Sequence, residues 1–454
     1  MRLTKHVVLL LLGAGVLLLL NFSSLLRLPH PTLLVWRGSP AREQEHAKGK
    51  TPPRTHLKNT TRPPSTSPPP PGPPTALPVY VSKELRKLVP QSNAYWNRQV
   101  HSALTALEQL TTSSPGSPHT SQDPDHPHCQ PVPLQTLRGQ IQDFDSYSPL
   151  YKDLLQGAHC HDYPLLIDQP GKCGGPTETP TGAQTGNQSS PMKDTTEPEH
   201  GPFLLLAIKS VPHNFQQRQA VRQTWGWEGR HWGDLEVRTV FLLGSSAATD
   251  EPDLGVLLAA EAGRYGDILQ WDFRDSFFNL TLKDGLFLRW AERHCPRARF
   301  VFKGDDDVFA NTFQMLKYLQ HVGDAKLYTG QIVEQASPFR DAKNKYYIPH
   351  SYYDGVYPPY AGGGGFLFSG SLLRPLSLLS RLLPPFPIDD VFTGICMQAL
   401  HVVPTSHSGF RTFDIMERDR EDACIHRDLL VVHHRTPQQT LRLWRRIQDT
   451  SLQC

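Results

Sequence analysis

Three consecutive carboxylates, Asp305-Asp306-Asp307, follow directly on the apolar stretch Phe300-Val301-Phe302. Adjacent anions repel, so clustering them at a strand end calls for a compensating cation. Hard oxygen donors suit Mg²⁺ or Mn²⁺, which typically bridge protein carboxylates and substrate phosphates. In an extended chain Asp305 and Asp307 share one side and Asp306 takes the other. A solvated acidic turn is the plainer alternative, weakened by the buried strand in front. Arg218 and Arg222 stand four apart, hence on one face of a helix, where two guanidinium groups can hold a diphosphate. The indole of Trp225 follows closely enough to pack against the same site. An ordinary salt-bridge face is the competing account of that pair.

Further along, Gly362-Gly363-Gly364-Gly365 precedes the apolar Phe366-Leu367-Phe368. Four glycines cost backbone entropy, and close approach of main chain to a bulky ligand such as a sugar is one reason to keep them; a flexible loop is the other. A second acidic pair, Asp389-Asp390, is embedded in Phe386-Pro387-Ile388 and Val391-Phe392. Carboxylates in apolar surroundings acquire raised pKa values and serve as acid–base groups, while Asp after Pro-Ile also suits a helix N-terminus. His433 and His434 end the apolar run Val431-Val432. They are either structural or neutral imidazoles beside a diphosphate-bound metal.

The elements that must position these groups alternate in type. Phe203 to Ile208, Val237 to Leu243 and Arg299 to Phe302 are short apolar runs of the kind covered on both faces of a sheet. Leu280 to His294 and Thr312 to His321 carry helical spacing. Alternating strands and helices predict an α/β fold, a mostly parallel sheet with flanking helices, and ligands beyond the C-terminal strand ends.

Ahead of this core, Val7 to Leu26 lacks charge and is long enough to span a hydrocarbon layer of roughly 30 Å, with Arg2 and Lys5 before it. We expect a cytoplasmic tail (1–6), a signal anchor (7–26), a largely disordered lumenal stem (27–140) and a segment packing on the catalytic domain (141–173). A flexible spacer (174–201) and a catalytic domain (202–454) complete the division. Much of the stem is Pro-rich, as in Pro68 to Pro71, although Tyr80 to Leu110 has the spacing of a short helix. The net charge of +3 gives no footprint for nucleic acid. Seven cysteines without paired zinc spacing point to disulfides in an oxidising lumen, with an odd one left over. Asn59, Asn187 and Asn279 head glycosylation sequons consistent with exposure there.

The order WDF, KGDDDVF, YYIP, YPPYAGGGGFLFSG, FPIDDVFTG, GFRTFDI and VVHHR resembles the animal β-1,3-glycosyltransferase family, above all its N-acetylglucosaminyltransferases that extend poly-N-acetyllactosamine. Tyr163 to Pro170, Trp271 to Leu280 and the terminal Leu452-Gln453-Cys454 carry the narrower likeness. It covers about Phe144 to the end, apart from the spacer. The resemblance implies a GT-A type nucleotide-sugar fold and inverting, UDP-dependent transfer of N-acetylglucosamine to terminal β-galactose of glycoproteins or glycolipids. It implies a divalent metal, Mn²⁺ or Mg²⁺, held by Asp307 with Asp305 and His433, and a catalytic Asp390 with Asp389 beside it. Arg218, Arg222, Trp225, Asp272, Lys283, Asp305, Asp306, Gly363 and Gly364 are the expected substrate-binding residues. A single-pass Golgi membrane enzyme is the setting implied; whether it works as a homo- or hetero-oligomer is left open by the sequence. Galactosyl transfer, an inactive Golgi scaffold or chaperone, and a secreted metal-dependent hydrolase are the alternatives.

Overall fold

The computed structural model describes residues 76–112, 130–174, 201–246, 252–323 and 326–454. The expected tail, anchor and spacer, and the sequons at Asn59 and Asn187, lie outside them. Among the described residues no helix is long and apolar enough to cross a membrane.

The chain begins with helices α1 (Ala76–Leu88), α2 (Tyr95–Thr112), α3 (Leu134–Gln140) and α4 (Pro149–Gly157), then strand β1 (Leu165–Ile167). The alternating core follows: β2 (Leu204–Lys209), α5 (Phe215–Arg222), β3 (Gly229–His231), β4 (Leu235–Ser245), α6 (Gly255–Tyr265), β5 (Ile268–Arg274), α7 (Leu280–His294) and β6 (Phe300–Asp305). Next come β7 (Phe309–Ala310), α8 (Thr312–Gln320), β8 (Tyr328–Gly330), β9 (Ile332–Val333), β10 (Tyr360–Ala361) and β11 (Gly365–Ser369). The last part is α9 (Leu373–Leu382), α10 (Asp389–Ala399), β12 (Thr405–Ser406), β13 (Phe410–Arg411), α11 (Ala423–Asp428), β14 (Val431–Val432) and α12 (Pro437–Ile447).

The main sheet runs β1-β5-β4-β2-β6-β11-β8-β12, with β3 beside β4. Its centre, β5-β4-β2-β6, is parallel, and β11 lies antiparallel between β6 and β8. Every residue of β2 is buried, because apolar side chains leave both faces of the strand. Leu205 and Ala207 join the core on one side with α7, α9 and α10; Leu204, Leu206 and Ile208 join the other with α8. The chain leaves β2 toward β4 on one flank and returns to β6 on the other. That reversal opens a crevice beyond the strand ends. Lys209 and Asp305 face each other in register at its mouth.

Part of the expected stem is folded. Val81, Leu85, Val89, Trp96, Val100 and Leu104 recur four apart along α1 and α2 and are all buried. Trp96 donates its indole N–H to the Pro384 carbonyl at 3.0 Å and sits edge-on to Tyr353 and Phe386. The apolar stripe outweighs the Pro-rich surroundings, so residues 76–112 belong to the body with the catalytic elements, and α1 packs on α10. Disulfides Cys173–Cys295 and Cys424–Cys454 tie the 141–173 segment to the end of α7 and the terminus to α11. Cys396 is free and buried. Asn279 departs from the expected exposure: it is buried, and its Nδ2 donates to the Arg274 carbonyl at 2.8 Å.

Replacing Trp96 by Ala removes a large, fully enclosed ring, and the expected loss is about 3–5 kcal/mol of unfolding free energy. Urea unfolding of the two proteins checks this; a stem without tertiary contacts would give no change.

Candidate active site

Each carboxylate of the Asp305–Asp307 triplet has its own partner, because the strand ends at Asp305 and the next two residues turn. The alternation expected of an extended chain therefore does not continue through the triplet. Asp305 takes the Lys209 ammonium at 2.9 Å. Asp306 accepts from Ser210 Oγ at 2.6 Å and Asn214 Nδ2 at 3.0 Å, yet burial still pushes its pKa up to about 6. Asp307 faces His433 Nε2 and His434 Nδ1, each at 3.4 Å. One ligand atom from each of Asp307, His433 and His434 lies within 4.8 Å of the others.

That trio suits a divalent ion. His433 Nδ1 lies 2.9 Å from the Thr412 carbonyl, which can only accept, so Nδ1 carries the proton and Nε2 keeps its lone pair for a ligand. His434 sits at φ +66°, a left-handed backbone uncommon outside glycine. Arg435 holds it there: its side chain is fully buried and donates to the His433 and His434 carbonyls and to Asp414. Its backbone N–H also reaches the Asp307 carbonyl at 2.6 Å. The sequence reading named Asp305 rather than His434 as the third ligand; Asp305 is turned to Lys209 instead.

Behind the triplet runs a buried row of alternating charges. Lys209 reaches both Asp305 and Asp389 at 2.9 Å, and Lys303 reaches Asp389 at 3.2 Å and contacts Asp284. Burial alone would lower Lys209, but Asp305 and Asp389 hold it protonated well above its ordinary range. Burial would likewise raise Asp389, and the two ammonium groups override it and keep that carboxylate ionised. Asp390, next in sequence, has no such partner. Desolvation and the charge of Asp389 push it up to about 7. Its Oδ2 accepts from the Gly363 N–H at 3.0 Å and its Oδ1 from the Val391 N–H at 2.9 Å, which fixes the carboxyl group.

The glycines let neighbouring side chains come close to the main chain. A Cβ on Gly363 would lie 3.3 Å from Asp390 Oδ2, and one on Gly364 would lie 2.6 Å from Thr412 Oγ1 and 3.3 Å from His433 Cγ. Their bare backbone lets Asp390 and His433 close on the same strand end.

Four expected substrate contacts lie behind the site. Arg218 is fully buried, forked onto Glu261 at 2.7 and 2.9 Å, and donates to Ser210 Oγ and the Val211 and Pro212 carbonyls. Arg222 is spent on Asp267 and Glu261. Trp225 is a core residue set edge-on to Phe302. Lys283 is buried between Asp275 and the Ser210 carbonyl. Together the two arginines and Lys283 brace the loop that brings Ser210 and Asn214 to Asp306. Asp272 is exposed on β5 and accepts from Ser245 Oγ at 3.2 Å. Lys209, Lys303 and Asp284 went unassigned from sequence, although a lysine inside Phe300-Val301-Phe302-Lys303 is a recognisable sign of a buried ion.

Comparison with known proteins places the chain in a family. A family model described as Galactosyltransferase matches residues 216–408. N-acetyllactosaminide beta-1,3-N-acetylglucosaminyltransferase 2 of Mus musculus is 43% identical over 387 residues, covering 84% of this chain and 87% of the relative. This chain belongs to the β-1,3-N-acetylglucosaminyltransferase family. UDP-GlcNAc:betaGal beta-1,3-N-acetylglucosaminyltransferase 7 of Mus musculus is 42% identical, over 66% of this chain and 72% of the relative. The human acetylgalactosaminyl-O-glycosyl-glycoprotein beta-1,3-N-acetylglucosaminyltransferase is 35% identical, over 77% and 92%. The enzyme is thus a glycosyltransferase.

The raised pKa of Asp390 makes a stability prediction. A carboxyl group whose folded value is about 7, against 3.8 ordinarily, favours folding at low pH and loses that contribution as pH rises through 7. Asp390→Asn removes the ionisation, so its Tm relative to the native chain should climb between pH 4 and pH 8. Thermal unfolding across that range checks it; a constant difference would refute the raised value.

Proposed function

We propose that this enzyme transfers N-acetylglucosamine from UDP-GlcNAc in β-1,3 linkage to terminal β-galactose, extending poly-N-acetyllactosamine on glycoproteins or glycolipids. The observation that carries the mechanism is the placement of Asp390: a carboxyl group fixed by the Gly363 and Val391 N–H groups at the same strand ends as the Asp305–Asp307 triplet, its pKa raised by burial. A base matched to neutral pH can take the proton of a sugar hydroxyl and release it again. The donor and linkage come from the relatives' activities, and the mixed α/β sheet with acidic residues at its switch point supports a GT-A type fold.

In this reading the acceptor 3-hydroxyl is placed against Asp390, which removes its proton as the oxygen attacks the anomeric carbon from the face opposite the leaving UDP. The N–H groups of Gly363 and Val391 hold the carboxylate on target. Asp389, kept anionic by Lys209 and Lys303, maintains the basicity of Asp390. Asp307, His433 and His434 would hold a divalent cation, Mn²⁺ or Mg²⁺, which when bound neutralises charge on the departing diphosphate. Lys209 places a fixed positive charge at the edge of the same crevice.

Disulfides and the apolar segment 7–26 support an oxidising lumen and a type II Golgi anchor. Galactose transfer is the second reading, favoured by the description of the matching family model.

Asp390→Asn should abolish transfer while leaving UDP affinity within about twofold, and native kcat/KM should fall roughly tenfold per unit below pH 7. Chelation should stop turnover, and Mn²⁺ or Mg²⁺ should restore it. Radiolabelled UDP-GlcNAc and UDP-Gal, each offered with a β-galactoside acceptor, decide the donor; preferential transfer of galactose would replace this reading with the second.

A further inference from the structure

The loop of residues 334–359 carries aromatic side chains that the catalytic chemistry leaves unused. Its neck stands beside the base: β9 pairs with β10, the Tyr357 N–H donates to the Ala336 carbonyl at 2.9 Å, and Tyr360 lies against Gly394, one helical turn beyond Asp390. Phe339 is three residues past Ala336, a reach of at most about 10 Å. At the tip, Phe339 is 55% exposed and Tyr346 is 36% exposed. Tyr346 sets its ring 5.4 Å from Phe277 and 6.4 Å from Phe339. The exposed Lys345 extends its ammonium to 4.7 Å from the Tyr346 ring.

This tip is not a loose end. Arg340 Nη1 ties the Ile348 and Tyr353 carbonyls at 2.7 and 3.1 Å, and the Ile348 N–H returns to the Phe339 carbonyl at 2.9 Å. Phe277 is anchored to the donor side of the crevice: Asp275, two residues before it, binds Lys283, which binds the Ser210 carbonyl, and Ser210 Oγ binds Asp306. The loop thus bridges from the base to the β5 end, and it holds a small, ordered aromatic surface toward solvent.

We propose that Phe339, Tyr346 and Phe277, with Lys345 beside them, form an extended acceptor subsite for the sugar rings behind the galactose that receives transfer. The proposal rests on the acceptor being a β-galactoside-terminated glycan. Aromatic faces attract the weakly positive C–H edges of a pyranose while its hydroxyls stay in water. Three rings, on a tip whose turn is closed by Asp341 and Asn344 accepting from the Lys343 and Tyr346 N–H groups, suit one or two sugars; a protein partner needs a surface near 800 Å² per side.

The test compares the full-length chain with Phe339→Ala/Tyr346→Ala and with Phe339→Trp. The acceptors are methyl β-galactoside and a tetrasaccharide of alternating galactose and N-acetylglucosamine. The native enzyme should prefer the tetrasaccharide. The ratio of kcat/KM for tetrasaccharide over methyl galactoside should fall about tenfold in the double variant, through KM, and be kept by Phe339→Trp. An unchanged ratio, including equal loss on both acceptors, overturns the subsite while leaving galactoside transfer standing. If the native enzyme transfers to neither acceptor, the functional reading fails first and the subsite falls with it.

Discussion

The site is organised by one electrostatic constraint: two buried lysines are shared among three carboxylates, and a further carboxyl group, Asp390, has no ion-pair partner. Asp284, Lys303, Asp389, Lys209 and the half-buried Asp305 alternate in sign, each lysine bridging two acids. Removing ions from water costs several kcal/mol each, repaid only by close opposite charges. The row therefore requires β2, β6, α7 and α10 to meet in one arrangement. Asp389 stays ionised between two lysines, and burial first, with that neighbouring charge second, raises the Asp390 carboxyl above its ordinary range.

The same economy governs the other half of the crevice. Gly363 and Gly364 remove the two Cβ atoms that would hold Asp390 and His433 away from the strand end. Thr412 joins them, its hydroxyl accepting from the Gly364 N–H at 2.9 Å and its carbonyl facing His433 Nδ1. Base and candidate metal ligands are thereby held from one short piece of backbone. A shift at Gly364 would move both.

Periodicity made much of this legible. Leu280–His294 is a helix with the expected bounds, the first strand begins one residue later than anticipated, and the acidic triplet ends its strand as its apolar lead predicts. What spacing does not convey is the identity of the facing partner. Arg218 and Arg222 do share a helix face, but it looks toward Glu261 and Asp267, some forty residues on, and not toward a diphosphate. Trp225 follows them into the core for the same reason. Lys209 ends its strand, where a lysine ordinarily reaches water, and only the fold brings Asp305 and Asp389 to it.

The boundary of the catalytic unit was obscured by composition. Proline is the commonest residue of 27–140, with serine and threonine abundant beside it, and averaged over that window the chain cannot bury enough apolar surface to fold. Averages hide the stripe from Val81 to Leu104, which fills the groove left by α10 and the Pro384–Phe386 turn. Since α10 begins with Asp389 and Asp390, the turn that Trp96 pins lies immediately before the base. The N-terminal helices thus bear on Asp390 through position alone: they fix the entrance of the helix that carries it. An extended tether in front of the sheet would leave that entrance bounded on one side by solvent, and a carboxyl group open to water would return toward its ordinary pKa.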